Sequence, residues 1–371
     1  MASSSVQPCL VFGIEMEFLI RPLQDTLPRM KKYGWNQAVT PANHESLKTK
    51  NRDALRATIA QALTDQKIRA GLTPGDYSTW TVADERSLDE YGPFWRIELV
   101  SRTMTTAEDW QREVDRVFGF LLQNFEISLT KGCSMHIHVS PTLTLQNRYT
   151  RDQLVRIIKA IAYFDDPITR VMPANRKANQ WAMSNMIGED APKAWRDAYL
   201  KVPTATWKPL FSEFEKIKMR QRVYADTGSN RYMSWNFSNI EATCGTIEFR
   251  RPPGVQSAAE AKHWASFALG FISQALVSDL DALRNSKNYA TVKQLEDFVR
   301  GGASRLERLS QGAFITQLLL ENHSRPTGDS AAEIEIIRRK KAAKEKRGSV
   351  FVEKANSRPN TPTSPGNSRV H

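Results

Sequence analysis

The sequence predicts an α+β fold with a mostly antiparallel sheet, and three observations lead there. Four short segments, I-E-M-E-F, R-I-E-L-V, M-H-I-H-V and T-I-E-F-R, alternate ionisable with bulky apolar residues. That is the two-residue period of a strand. Longer segments open with Thr or Ser followed three residues later by Glu or Gln, the capping box that starts a helix. Each strand is apolar on one face only, so the capped helices can cover that face in a layered arrangement.

Composition narrows the class. A chain of 371 residues can bury a large core as one domain or two. Its 40% apolar and 25% charged content is that of an ordinary globular protein. No run of about 18 apolar residues is present, so no transmembrane helix is expected. The N-terminus has no positive region before its short apolar run, so no secretory signal is expected either. Cys9, Cys133 and Cys244 are odd in number, far apart and without a C-x-x-C pattern. That argues against a disulfide framework and for the reducing cytosol. Half of the net charge of +12 falls in residues 322–371, which hold eleven Lys/Arg and five Asp/Glu. The basic body can attract anionic substrates. No helix-turn-helix, zinc-finger or RNP motif points to nucleic acid.

Taken in order, Val11 to Phe18 is the first strand, with Glu15 and Glu17 on one face and Ile14, Met16 and Phe18 on the other. A helix follows from about Asn51 to Ala70, ended by Gly71-Leu-Thr-Pro-Gly75. Ser78 to Ala83 reads as a short strand before the turn Asp84-Glu-Arg-Ser87, and Phe94 to Ser101 as the next strand, carrying Glu98. Thr105-x-x-Glu108 announces a helix from about Ala107 to Asn124. Cys133 to Ser140 places His136 and His138 on one strand face. Thr150-x-x-Gln153 opens a helix to about Phe164, which Asp165-Asp166-Pro167 is expected to stop.

Residues 173–230 are irregular and rich in Trp, Lys and Arg, and suit either a substrate-facing segment or a surface insertion. Tyr232 to Ser238 and Gly245 to Arg251 form the last strand pair, with Glu248 and Arg250 sharing a face. Ser257-x-x-Glu260 then caps a mostly apolar helix to about Leu280. Two shorter helices are expected near 291–300 and 303–321, with Gly301-Gly302 between them. Residues 1–321 therefore read as one folded domain. From Asn322 a basic run, Arg338 to Arg347, and a Ser/Pro/Asn/Thr-rich end read as a disordered basic tail with one transient helix. The tail suits solubility better than nuclear import or an anionic partner.

The strands together collect Glu15, Glu17, Glu98, Glu248, His136, His138 and Arg250 on one face. An isolated E-x-E is most simply a wet strand face. Carboxylates gathered in this number repel unless cations sit among them, and Mg2+ is the hard cation that suits oxygen ligands. His136 and His138 can ligate Zn2+ or another transition metal, or serve as hydrogen-bonding or phosphate-contacting rings. Arg250 and Arg251 can pair with carboxylates or grip phosphate bidentately.

These residues carry a resemblance. Gly13-Ile-Glu-Met-Glu-Phe18, Asp84-Glu-Arg-Ser-Leu88, Ile97-Glu-Leu-Val-Ser101, Ser134-Met-His-Ile-His-Val139 and Gly245-Thr-Ile-Glu-Phe-Arg250 resemble, in order, the motifs of the amidoligase family. That family lies in the carboxylate–amine ligase superfamily with glutamate–cysteine ligase and glutamine synthetase. The resemblance implies a curved antiparallel sheet cradling Mg–ATP. It implies Glu15, Glu17, Glu98 and Glu248 as metal ligands, and His136 and His138 at the nucleotide or metal site. Arg250, and less directly Arg251, would contact phosphate, and Asp84 is a candidate base because of its turn. The expected reaction is ATP-dependent joining of a small-molecule carboxylate and an amine, amino-acid-like or peptide, through an acyl phosphate. Two rivals remain: a metal-dependent hydrolase using His136 and His138, and a non-catalytic scaffold.

Overall fold

The computed structural model describes residues 9–73, 75, 77–142, 148–242, 245–306 and 313–356. Cys244, residues 307–312 and the Ser/Pro/Asn/Thr-rich end at 357–371 lie outside the described residues. By contacts the chain divides into two units, Met1–Gly328 and Asp329–His371.

The first unit is built on an open, mixed but mostly antiparallel sheet of nine strands, as the alternating segments predict. The strands are β1 (Val11–Pro22), β2 (Ala70–Gly71), β3 (Trp80–Ala83), β4 (Trp95–Val100), β5 (Met104–Thr105), β6 (Phe125–Ser128), β7 (Met135–Ser140), β8 (Trp235–Asn236) and β9 (Ile247–Phe249). Their order is β2-β3-β4-β1-β7-β9-β8, and only β2–β3 is parallel. β1 is the spine. One edge pairs with β4 and β5, the other with β7 and β6, so it has partners along its whole length.

The helices are α1 (Leu27–Lys31), α2 (Glu45–Asp65), α3 (Trp110–Asn124), α4 (Arg151–Val171), α5 (Ala174–Lys177) and α6 (Lys193–Leu200). Then come α7 (Val202–Ala205), α8 (Lys208–Glu215), α9 (Val223–Asp226), α10 (Ala258–Val277), α11 (Val292–Ala303) and α12 (Ala331–Asn356). The alternation sends Ile14, Met16, Phe18, Ile97, Leu99, Met135, Ile137, Ile247 and Phe249 into one core. There α2, α3 and α10 cover the sheet, with α4 and α11 packed on α10. Phe249 stacks on Trp235 and Phe267, and Trp235 on Phe271.

Several boundaries move, each for a physical reason. α2 starts at Glu45, capped by His44, and ends at Asp65, which frees Ala70 and Gly71 to extend the sheet. Glu108 does accept the Thr105 backbone N–H at 2.6 Å, but Thr105 stays in β5. Arg102 holds Glu108, and α3 begins only at Trp110. α4 keeps its Thr150–Gln153 capping box but runs through Pro167 to Val171. The lost hydrogen bond there is offset by burial of Ile168 and Val171 on the next turn.

Gly301 and Gly302 lie inside α11 because α10 crosses there at close range. A Cβ on Gly302 would overlap the Gly270 carbonyl oxygen. The expected 303–321 helix is reduced, among the described residues, to a short turn at Thr316–Leu319. Residues 322–327, expected with the tail, bond to the first unit: Asn322 N–H donates to the Arg170 carbonyl and Thr327 N–H to that of Ala174. In the second unit the basic run is helical within α12, where composition predicts disorder with one transient helix. Among the described residues no helix is long and apolar enough to cross a membrane.

Replacing Gly302 with Ala is expected to lower stability by about 3 kcal/mol, because backbone rather than a flexible side chain blocks the added methyl. Urea denaturation should show a lower midpoint with an unchanged m-value.

Candidate active site

Register brings the predicted acids together. Across the sheet Glu17 lies opposite Glu98, Glu15 opposite His136, His138 opposite Glu248, and Glu248 opposite Asn236. All project from the face away from the core. Two groups result, each with ligand atoms within 4.8 Å of one another: Glu15, His138 and Glu248; and Glu17, Glu85 and Glu98. β1 joins them, because Glu15 and Glu17 are alternate residues on one strand.

A hydrogen-bonded bridge fixes their orientation. The Ser134 hydroxyl donates to Glu17 at 2.6 Å and lies 2.9 Å from His136 Nε2. His136 Nδ1 lies 3.2 Å from Glu15 and 3.6 Å from Glu248. Both His136 nitrogens thus face groups of the protein. His138 Nε2 reaches Glu15 at 3.2 Å, and its Nδ1 is 3.3 Å from the Thr246 hydroxyl. Asn236 donates to Glu248 at 2.6 Å.

Charge explains how these buried acids stay ionised. Burial alone would raise the Glu248 carboxyl, but Arg250 first, then His138 and His136, hold it down at about 2. Glu15 is likewise held well below its usual range, where burial is outweighed by His138 and by hydrogen bonds from both histidines. Arg250 donates to Glu248 and, at 3.3 Å, to the Trp181 carbonyl, and lies over the Tyr232 ring at 5.8 Å. Burial works against its charge, but Glu248, Glu17 and Glu15 more than restore it. The donor set is five carboxylates and one imidazole. That suits a hard cation such as Mg2+ or Mn2+ better than Zn2+.

Two predicted residues stand elsewhere. Arg251, two residues past β9, is engaged away from the acidic groups: it donates to the carbonyls of Ala182 and Lys177 and to the Thr169 hydroxyl. It is a clamp between β9, α4 and the following segment. Asp84 pairs with Arg96 at 2.6 Å and with Arg86 at 3.2 Å. Burial would raise its carboxyl, but Arg96 foremost lowers it, so it is a poor proton acceptor near neutrality. Its neighbour Glu85 enters the site instead, and only 4% of it is exposed. A signal for Glu85 was present: Ala83 pairs with Glu98, and the two-residue alternation carried on from Ala83 reaches Glu85. Asn236 and Arg176 were also missed. Arg176 is buried and donates to the carbonyls of Arg250 and Arg251 from a distant, irregular segment.

A family model described as "Putative amidoligase enzyme" matches residues 8–272, which include all nine strands and both acidic groups. The chain belongs to the amidoligase family. No curated protein matches the sequence. Membership places the chain among ligases, and the amidoligase match ends within α10, so it covers the sheet and the helices that back it.

Titration of the protein with Mn2+ is expected to find two cations. Glu248→Gln should remove one and Glu85→Gln the other, and Ser134→Ala should weaken binding by roughly 10–100-fold by releasing the bridge. A second test concerns Asp165, a buried neighbour of Arg251 that accepts from Ser184 at 2.7 Å. Burial pushes its carboxyl up to about 6, so folding favours the protonated form. Its stabilising contribution is complete below about pH 4 and lost as pH rises through 6. Wild type should lose up to about 3 kcal/mol over that window relative to Asp165→Asn, read from denaturation at each pH.

Proposed function

We propose that this face joins a carboxylate to an amine at the expense of ATP, through an acyl phosphate, on amino-acid-like or peptide substrates. The observation that supports this most is the pair of oxygen-rich groups sharing β1, with a charged guanidinium at their edge. Glu15, His138 and Glu248 would hold one Mg2+, and Glu17, Glu85 and Glu98 a second. When bound, the ions neutralise phosphate oxygens and the charge that moves with the phosphoryl group.

The substrate carboxylate attacks the γ-phosphorus, ADP leaves, and the amine then displaces phosphate and gives up a proton. Arg250 is the group suited to the phosphoryl oxygens, since its charge is secured and its planar fork matches them. Arg251 takes no part, because backbone carbonyls and Thr169 engage it away from the acidic groups. His136 orients Glu15 and, through Ser134, Glu17. With its nitrogens so engaged, a hydrolase built on both histidines is the weaker reading. A cytosolic setting, with small-molecule partners and no nucleic acid, goes with this reaction.

Purified protein given Mg–ATP and pools of carboxylates and amines is expected to release ADP only when both are supplied. Glu17→Gln should abolish that release, and Arg250→Ala should lower kcat by about 10²–10³. Release that survives Glu17→Gln, or turnover without ATP, would overturn the proposal.

A further inference from the structure

Arg231 stands beside this site with its charge unanswered. Its guanidinium lies over the Tyr232 ring at 5.7 Å, the ring that also receives Arg250 at 5.8 Å. Trp181 packs edge-on against Tyr232 at 5.3 Å, and its carbonyl accepts from Arg250. A short aromatic wall therefore links the Arg231 guanidinium to the Arg250–Glu248 pair. Stacking of this kind fixes a guanidinium in place without consuming its N–H donors.

Acids paired with residues before and after Arg231 in the chain are committed elsewhere. Asp190 accepts from Asn230, and Glu241 pairs with Arg220 and Arg148. Among the described residues no carboxylate pairs with Arg231, and its Nε is shut off from solvent without a hydrogen-bond partner. That enclosed N–H is out of reach of an incoming anion, so the donors left for one are the terminal N–H groups of this half-buried side chain. Arg250, one ring away, has its acceptors within the protein.

We propose that Arg231 recognises an oxyanion carried by one of the reactants, either a second carboxylate on the acid or a phosphate of the nucleotide. The assignment rests on the ligase reading above and deepens it by stating the charge one reactant must carry. It names a binding residue, with no bond made or broken at it.

The test is calorimetric, on the full chain with Mg2+, using Mg–ATP in one arm and succinate, glutarate and adipate in another, with pentanoate as the single-carboxylate control. Arg231→Met keeps the stem that covers Tyr232 and removes the charge, and Arg231→Lys returns charge without the fork. Thermal unfolding checks that both variants fold as wild type does. Arg231→Met is expected to weaken Mg–ATP or a dicarboxylate by about tenfold or more, with pentanoate unchanged and Arg231→Lys in between. The arm that falls identifies the source of the oxyanion. The assignment is overturned if every probe binds within about twofold of wild type, if pentanoate weakens in parallel, or if wild type binds neither Mg–ATP nor a dicarboxylate. Failure of the ligase reading would appear separately, as absent ADP release with the Arg231 binding difference intact.

Discussion

Repulsion among carboxylates on a single sheet face is the constraint to which the rest of this structure answers. Glu17 and Glu98 lie directly across from one another, and like charges so placed weaken a sheet. Glu15 and Glu248 stand within reach of the same histidines. The protein meets part of this load with Arg250, just past β9, His136 and His138 of β7, and the Ser134 hydroxyl before β7. On the function proposed above, divalent cations would take up the remainder. An arrangement that is poor for a sheet alone is one that bound cations would relieve.

The same logic explains the interior behind the site. Arg176 and Arg251 are nearly inaccessible, yet they face carbonyl oxygens at the end of β9 and around it. Guanidinium groups there satisfy peptide oxygens that leave the ladder where Pro252 and Pro253 end the strand. Burial lowers Arg176 to about 9, with Glu17 the main charge opposing the shift. The segment after α4 is thus tied to the residues that follow β9.

What could be read beforehand follows from period. Strand alternation is a local property, so Glu15, Glu17, Glu98, His136, His138 and Glu248 could be assigned to one face without knowing which strands are neighbours. The same alternation separates Arg251 from Arg250, a distinction that the consecutive pair of arginines hides. Glu85 lies two residues past the end of β3, where the alternation carried on from Ala83 still reaches it, but the adjacent Asp84 in the same turn drew attention instead. Arg176, Tyr232 and Asn236 depend on which distant segments meet, and no local pattern encodes that. Pro167 shows tertiary burial overriding a local stop signal.

β1 lies at the centre of the sheet, yet it is the earliest of these nine strands in the chain. Its partners arrive between residues 95 and 140, and the last acid of the site at position 248. During synthesis an apolar and acidic strand must wait for β4 on one edge, and longer still, for more than a hundred residues of later chain, for β6 and β7 on the other. Such long-range pairing slows folding and exposes unpaired edges to neighbouring chains. The glutamates of this strand, which repel a second copy of themselves, then oppose edge-to-edge aggregation while the strand is unpaired.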